Sequence, residues 1–113
     1  MHHPVDAVML ASRAASFTRR SIKGDSKRSG LRLAVSMLDL TTLEGADSPE
    51  LARALAQRAM HPCPVRLDQP VPSVAAVCVY PRLVPVVREA LAGSGVKTAS
   101  VATSFPSGQA PLD

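Results

Sequence analysis

Asp39, Thr41 and Thr42 follow an apolar run from Leu33 to Leu38, and Cys78 lies inside a second apolar run from Val74 to Tyr80. A carboxylate can take or return a proton, a hydroxyl can hold a substrate oxygen, and a thiol becomes a nucleophile once its pKa is lowered. The lysine amines that could attack a carbonyl are Lys23, Lys27 and Lys97. Each candidate also has a simpler structural role. Asp39 can cap the turn that follows it, and Cys78 can be an ordinary buried thiol whose apolar surroundings raise its pKa and suppress reactivity. Cys63 and Cys78 form no CxxC or Cys/His ligand spacing, so neither a zinc site nor a disulfide framework is indicated. Gly93-Ser94-Gly95 falls after a helical pattern, where it terminates the helix, whereas a phosphate-cradling loop precedes one.

The elements that must position these residues follow from periodicity and stop signals. Val5 to Ser21 is loosely helical, with Val8, Met9, Leu10, Ala14, Ala15 and Phe17 among arginines, and a polar loop from Gly24 to Gly30 follows. Leu33 to Leu38 reads as strand one, with the Asp39–Thr42 junction at its carboxyl end, where reactive side chains of parallel α/β barrels project. Asp47-Ser48-Pro49-Glu50 is a helix start: Asp47 or Ser48 can accept from a first-turn amide, Pro49 suits the first helical position, and Glu50 complements the dipole. That helix runs to about Met60. Val74 to Tyr80, apolar without alternation, predicts a parallel strand buried on both faces. A helix from about Arg82, closed by Gly93 and Gly95, leads to strand three at Val96 to Thr103.

The bulk numbers set limits. The chain has 113 residues, 46% hydrophobic and only 3% aromatic, so Ala, Val and Leu build the core and a base-stacking platform is disfavoured. Its net charge of +4 is uneven: residues 1–32 hold seven Lys and Arg against Asp6 and Asp25. A solvated helix face is the simpler account of that charge, and the competing one is a non-enzymatic module whose basic arm binds nucleic acid or another polyanion. Two cysteines with no disulfide framework make a reducing cytoplasm the expected compartment, and no apolar run reaches the ~20 residues of a membrane span, so no membrane partner is expected.

Met37-Leu38-Asp39-Leu40-Thr41-Thr42-Leu43-Glu44-Gly45 resembles deoxyribose-phosphate aldolase. Val77-Cys78-Val79-Tyr80-Pro81, Ala92-Gly93-Ser94-Gly95-Val96 and Ala99 to Gly108 resemble further blocks of the same family in the same order, and Ser16 to Lys23 is similar to the extension of its longer members. The resemblance implies an α/β fold, the N-terminal part of a (β/α)8 TIM barrel. About three parallel strands and two crossover helices would follow an N-terminal helix, with a basic extension at 1–32 and an incomplete barrel domain at 33–113. It implies retro-aldol cleavage of 2-deoxy-D-ribose 5-phosphate to glyceraldehyde 3-phosphate and acetaldehyde through a lysine Schiff base, with no metal and no other cofactor.

Carried over by position, the resemblance makes Asp39 the active-site carboxylate, Thr41 a substrate-pocket residue and Cys78 a neighbour of the bound aldehyde. The family's Schiff-base lysine, partner lysine, second aspartate and phosphate loops belong to later strands. Lys23 and Lys27 precede strand one and Lys97 enters strand three at its amino end, so none replaces them. The expected ligand is a phosphorylated deoxy sugar, provided the barrel is completed, and the expected protein partners are a second copy of the chain or a complementing C-terminal fragment. Nucleic acid is not expected to bind, and residues 1–113 alone are expected to be inactive.

Overall fold

The computed structural model describes residues 5–65 and 68–108. In chain order it contains α1 (Ala7–Thr18), α2 (Gly24–Met37), β1 (Asp39–Thr41), α3 (Pro49–Met60), β2 (Ala76–Val79), a 3-10 turn (Pro81–Leu83), α4 (Val84–Ala90) and β3 (Lys97–Ser100). The chain divides into two compact units, Met1–Gly30 and Leu31–Asp113, and the division falls within α2.

In the first unit, the Asp6 side chain caps α1 by accepting from the Met9 amide at 2.9 Å. No residue of α1 is buried. Asp25 occupies the first turn of α2 and pairs with Arg28 at 2.7 Å, an exposed ion pair of small energetic consequence.

The second unit is built on a parallel sheet in the order β1-β2-β3. Asp39, Leu40 and Thr41 lie beside Ala76, Val77 and Cys78, and Ala76 to Val79 lie beside Lys97 to Ser100. Alternation along each strand sends Leu40, Val77 and Val79 to one face of the sheet. α3 covers that face with Ala52, Ala56 and Ala59, all fully buried, and their small side chains let the helix approach the buried valines closely. Leu83, Val87 and Leu91, at helical spacing, complete the core from the α4 side.

The predicted α/β class therefore holds, with three parallel strands and two crossover helices, consistent with part of an α/β barrel. Three features differ. The expected polar loop from Gly24 to Gly30 is the first half of α2, since Asp25, Lys27 and Arg28 are compatible with a solvent-exposed helix. Leu33 to Leu38 is not strand one: the helix begun at Gly24 runs through Met37, with Arg32, Val35 and Ser36 half-buried at helical spacing. A short apolar run fits either period, and here helix formers such as Leu31, Arg32, Leu33, Ala34 and Met37 outnumber the single β-branched Val35. Nor is β2 buried on both faces, since Val77 and Val79 are enclosed while Ala76 and Cys78 are only half-buried. Among the described residues, helices α3 and α4 cover one side of the sheet only.

Candidate functional site

Asp39, Thr41, Ala76, Cys78, Lys97 and Ala99 share the sheet face opposite the core. This follows from the strand register, because partners in a parallel ladder point the same way and residues two apart share a face. Asp39 and Thr41 are exposed and Cys78 is half-buried. The Thr41 hydroxyl donates to Asp39 Oδ2 at 2.8 Å, and Thr41 is the register partner of Cys78. The three residues that the resemblance assigns to a site thus stand on one face, whereas Thr42 bonds to Asp47 instead. The hydrogen bond ties the carboxylate to the next side chain on the same face of the strand.

Asp39 does not stand at the carboxyl end of its strand as the sequence suggested. It opens β1, level with Ala76 and Lys97, the first residues of β2 and β3. The shift follows from the extension of α2 to Met37, which leaves three residues for the strand. Lys97 therefore shares both face and level with Asp39, separated from it by the small side chain of Ala76.

The carboxyl ends of the strands are tied together by a second group of residues. Asp47 is 4% exposed, and its carboxylate accepts from the Thr42 hydroxyl at 2.7 Å and from the Glu44 amide at 3.0 Å. Its backbone carbonyl accepts from Arg82 Nη2 at 2.9 Å, which joins the loop after β1 to the turn after β2. Tyr80 is fully buried: its hydroxyl donates to the Leu43 carbonyl at 3.0 Å and accepts from the Ser107 amide at 2.6 Å. The Ser107 hydroxyl donates to the same Leu43 carbonyl at 3.2 Å. The loops after all three strands are thereby fixed to one another.

Ser48, not Asp47, caps α3, accepting from the Leu51 amide at 3.3 Å. The sequence offered both residues for that role, and only the loop fold releases Asp47 to the interior. Tyr80 as a link between loops was not read from the sequence, although a tyrosine ending an apolar run needs a partner for its hydroxyl. Past β3, Thr103 and Ser104 take left-handed backbone at φ 59° and 58°, an uncommon state for residues with a side chain. Among the described residues no group of three or more His, Cys, Asp and Glu side chains is placed to hold a metal ion.

The deoxyribose-phosphate aldolase of Mus musculus is 39% identical to this chain over 102 residues. That match takes in 83% of the chain and 32% of the mouse protein, so the chain spans about a third of the length of the curated relative it matches. No family model matches the chain.

Proposed function

The chain is a sequence relative of deoxyribose-phosphate aldolase, and from that relationship we propose that it forms one wall of an aldolase site. The substrate in this reading is 2-deoxy-D-ribose 5-phosphate in its open aldehyde form. A lysine amine attacks C1 and water leaves, giving an iminium. Loss of the C3 hydroxyl proton then breaks the C2–C3 bond, and the electron pair passes into the iminium as an enamine. Glyceraldehyde 3-phosphate departs, and protonation and hydrolysis of the enamine release acetaldehyde.

The chain's own part is to line the cavity and hold protons. Asp39 supplies a carboxylate fixed by Thr41 at 2.8 Å, and Cys78 lies in register beside Thr41. The observation that carries the reading is this polar row on the sheet face opposite the one that buries Val77 and Val79 under α3. A parallel sheet is ordinarily covered on both faces, so further strands of a barrel would enclose the row and exclude water from it. The attacking amine comes from those strands, and residues 1–113 are inactive alone.

The test is a chimera in which this chain replaces the matching third of the mouse relative. A folded chimera should release glyceraldehyde 3-phosphate, and Asp39→Asn should lower the turnover by about tenfold or more. A folded but inert chimera, or one indifferent to Asp39→Asn, overturns the assignment.

A further inference from the structure

Asp39, Ala76 and Lys97 form one row across β1, β2 and β3 on the face of the sheet opposite the core. Asp39 and Lys97 are the only charged residues in the three strands, and they are opposite in sign. Both are exposed. Asp39 holds the Thr41 hydroxyl on Oδ2, and the Lys97 amine has neither an ion pair nor a hydrogen bond among the described residues. Neighbouring strands lie about 4.8 Å apart, so the Cα atoms of Asp39 and Lys97 are about 10 Å from one another. Between them in the row stands only the methyl group of Ala76. A lysine carries its amine on a flexible four-carbon stem, which can cross a methyl group to meet a carboxylate on the far side.

We propose that Lys97 folds over Ala76 to form an ion pair with Asp39, and that this pair positions the carboxylate when the open face is enclosed. The positioning role rests on the aldolase reading, whereas the contact itself does not. Its driving force is the burial of that face. A parallel sheet is ordinarily covered on both sides, and covering this one takes both charges out of water. An unpaired charge there is costly, and two opposite charges on one level of the sheet can neutralise each other. Thr41 then holds the carboxylate along β1 and Lys97 holds it from across the sheet. Lys97 touches no reacting atom in this arrangement and acts through Asp39.

The test has two arms. In the intact chain, a carbodiimide activates carboxylates, and an amine in contact displaces the activated group, forming an amide as a urea leaves. Mass spectrometry of the digested product should show an Asp39–Lys97 crosslink, and Ala76→Leu should suppress it with the circular dichroism spectrum unchanged. Absence of the crosslink in the unaltered chain overturns the pairing, as does a crosslink undiminished by Ala76→Leu. In the chimera with the mouse relative, Lys97→Met should lower kcat by about tenfold or more with KM unchanged, the order of loss when a reacting group is misplaced. Lys97→Arg should restore most of that loss, and Lys97→Met should cost nothing further beside Asp39→Asn. Full additivity of the two substitutions overturns the positioning role. A crosslink together with an inert chimera would support the contact and remove the aldolase reading, and an active chimera without the crosslink would do the reverse.

Discussion

The Tyr80 hydroxyl and the Ser107 amide, 27 residues apart in sequence, share a 2.6 Å hydrogen bond at the carboxyl ends of the strands. Because the same hydroxyl also donates to the Leu43 carbonyl, one fully buried side chain sets the spacing of the loops after β1 and β3. Those loops would form the rim of any site on the open face. Their positions are thus coupled to a side chain enclosed in the interior.

Tyr80→Phe removes that link while preserving the ring. It leaves the Ser107 amide without its acceptor and takes one of two donors from the Leu43 carbonyl. A loss of about 1–3 kcal/mol is expected in urea unfolding, with faster amide exchange at Ser107. An unchanged midpoint together with unchanged exchange would show that the loops are held by other contacts.

Asp47 and Ser48 are neighbours with different tasks, and their alanine variants should separate. Ser48→Ala removes a helix cap and should cost about 1 kcal/mol. Asp47→Ala removes the acceptor of the Thr42 hydroxyl and the Glu44 amide, losing two hydrogen bonds to a carboxylate at about 1.5–3 kcal/mol each before relaxation. The larger loss should therefore come from Asp47→Ala in paired unfolding curves. The reverse order would mean that the Asp47 hydrogen bonds to Thr42 and Glu44 contribute less than the helix cap.

Glu50 gives the acid limb of stability a definite sign. Its carboxyl is held below the ordinary value of 4.5 by its own backbone amide first and then by the Ser48 side chain, which outweigh the opposing effect of desolvation, with the Arg53 guanidinium adding the smallest contribution. Because the folded value is the lower one, its contribution is complete above the unfolded value and is lost as pH falls through the folded value. Glu50→Gln should therefore lose stability at neutral pH and show a flatter decline below pH 4.5. Parallel pH profiles for the two proteins would refute this.

Much of the second unit was legible because its signals are local. Ser48-Pro49-Glu50 states a helix start in backbone terms, and the apolar run ending at Tyr80 admits few readings beside a strand. Leu33 to Leu38 misled because six apolar-rich residues fit both periods, and the outcome depends on a helix begun nine residues earlier at Gly24. That error displaced Asp39 from the end of β1 to its beginning. The shared face of Asp39, Thr41 and Cys78 rests on strand register, which is a tertiary property. The role of Tyr80 is equally non-local, since its partners Leu43 and Ser107 meet only after the sheet forms.

The most direct measurement is reductive trapping. The chain and its chimera with the mouse relative are each incubated with 2-deoxy-D-ribose 5-phosphate and borohydride, and the modified lysines are located by mass spectrometry. The account predicts no adduct on Lys23, Lys27 or Lys97 of the chain alone, and in the chimera an adduct on a lysine outside residues 1–113. A substrate-dependent adduct on Lys97, which shares a face and a level with Asp39, would contradict it and place the reactive amine within this chain.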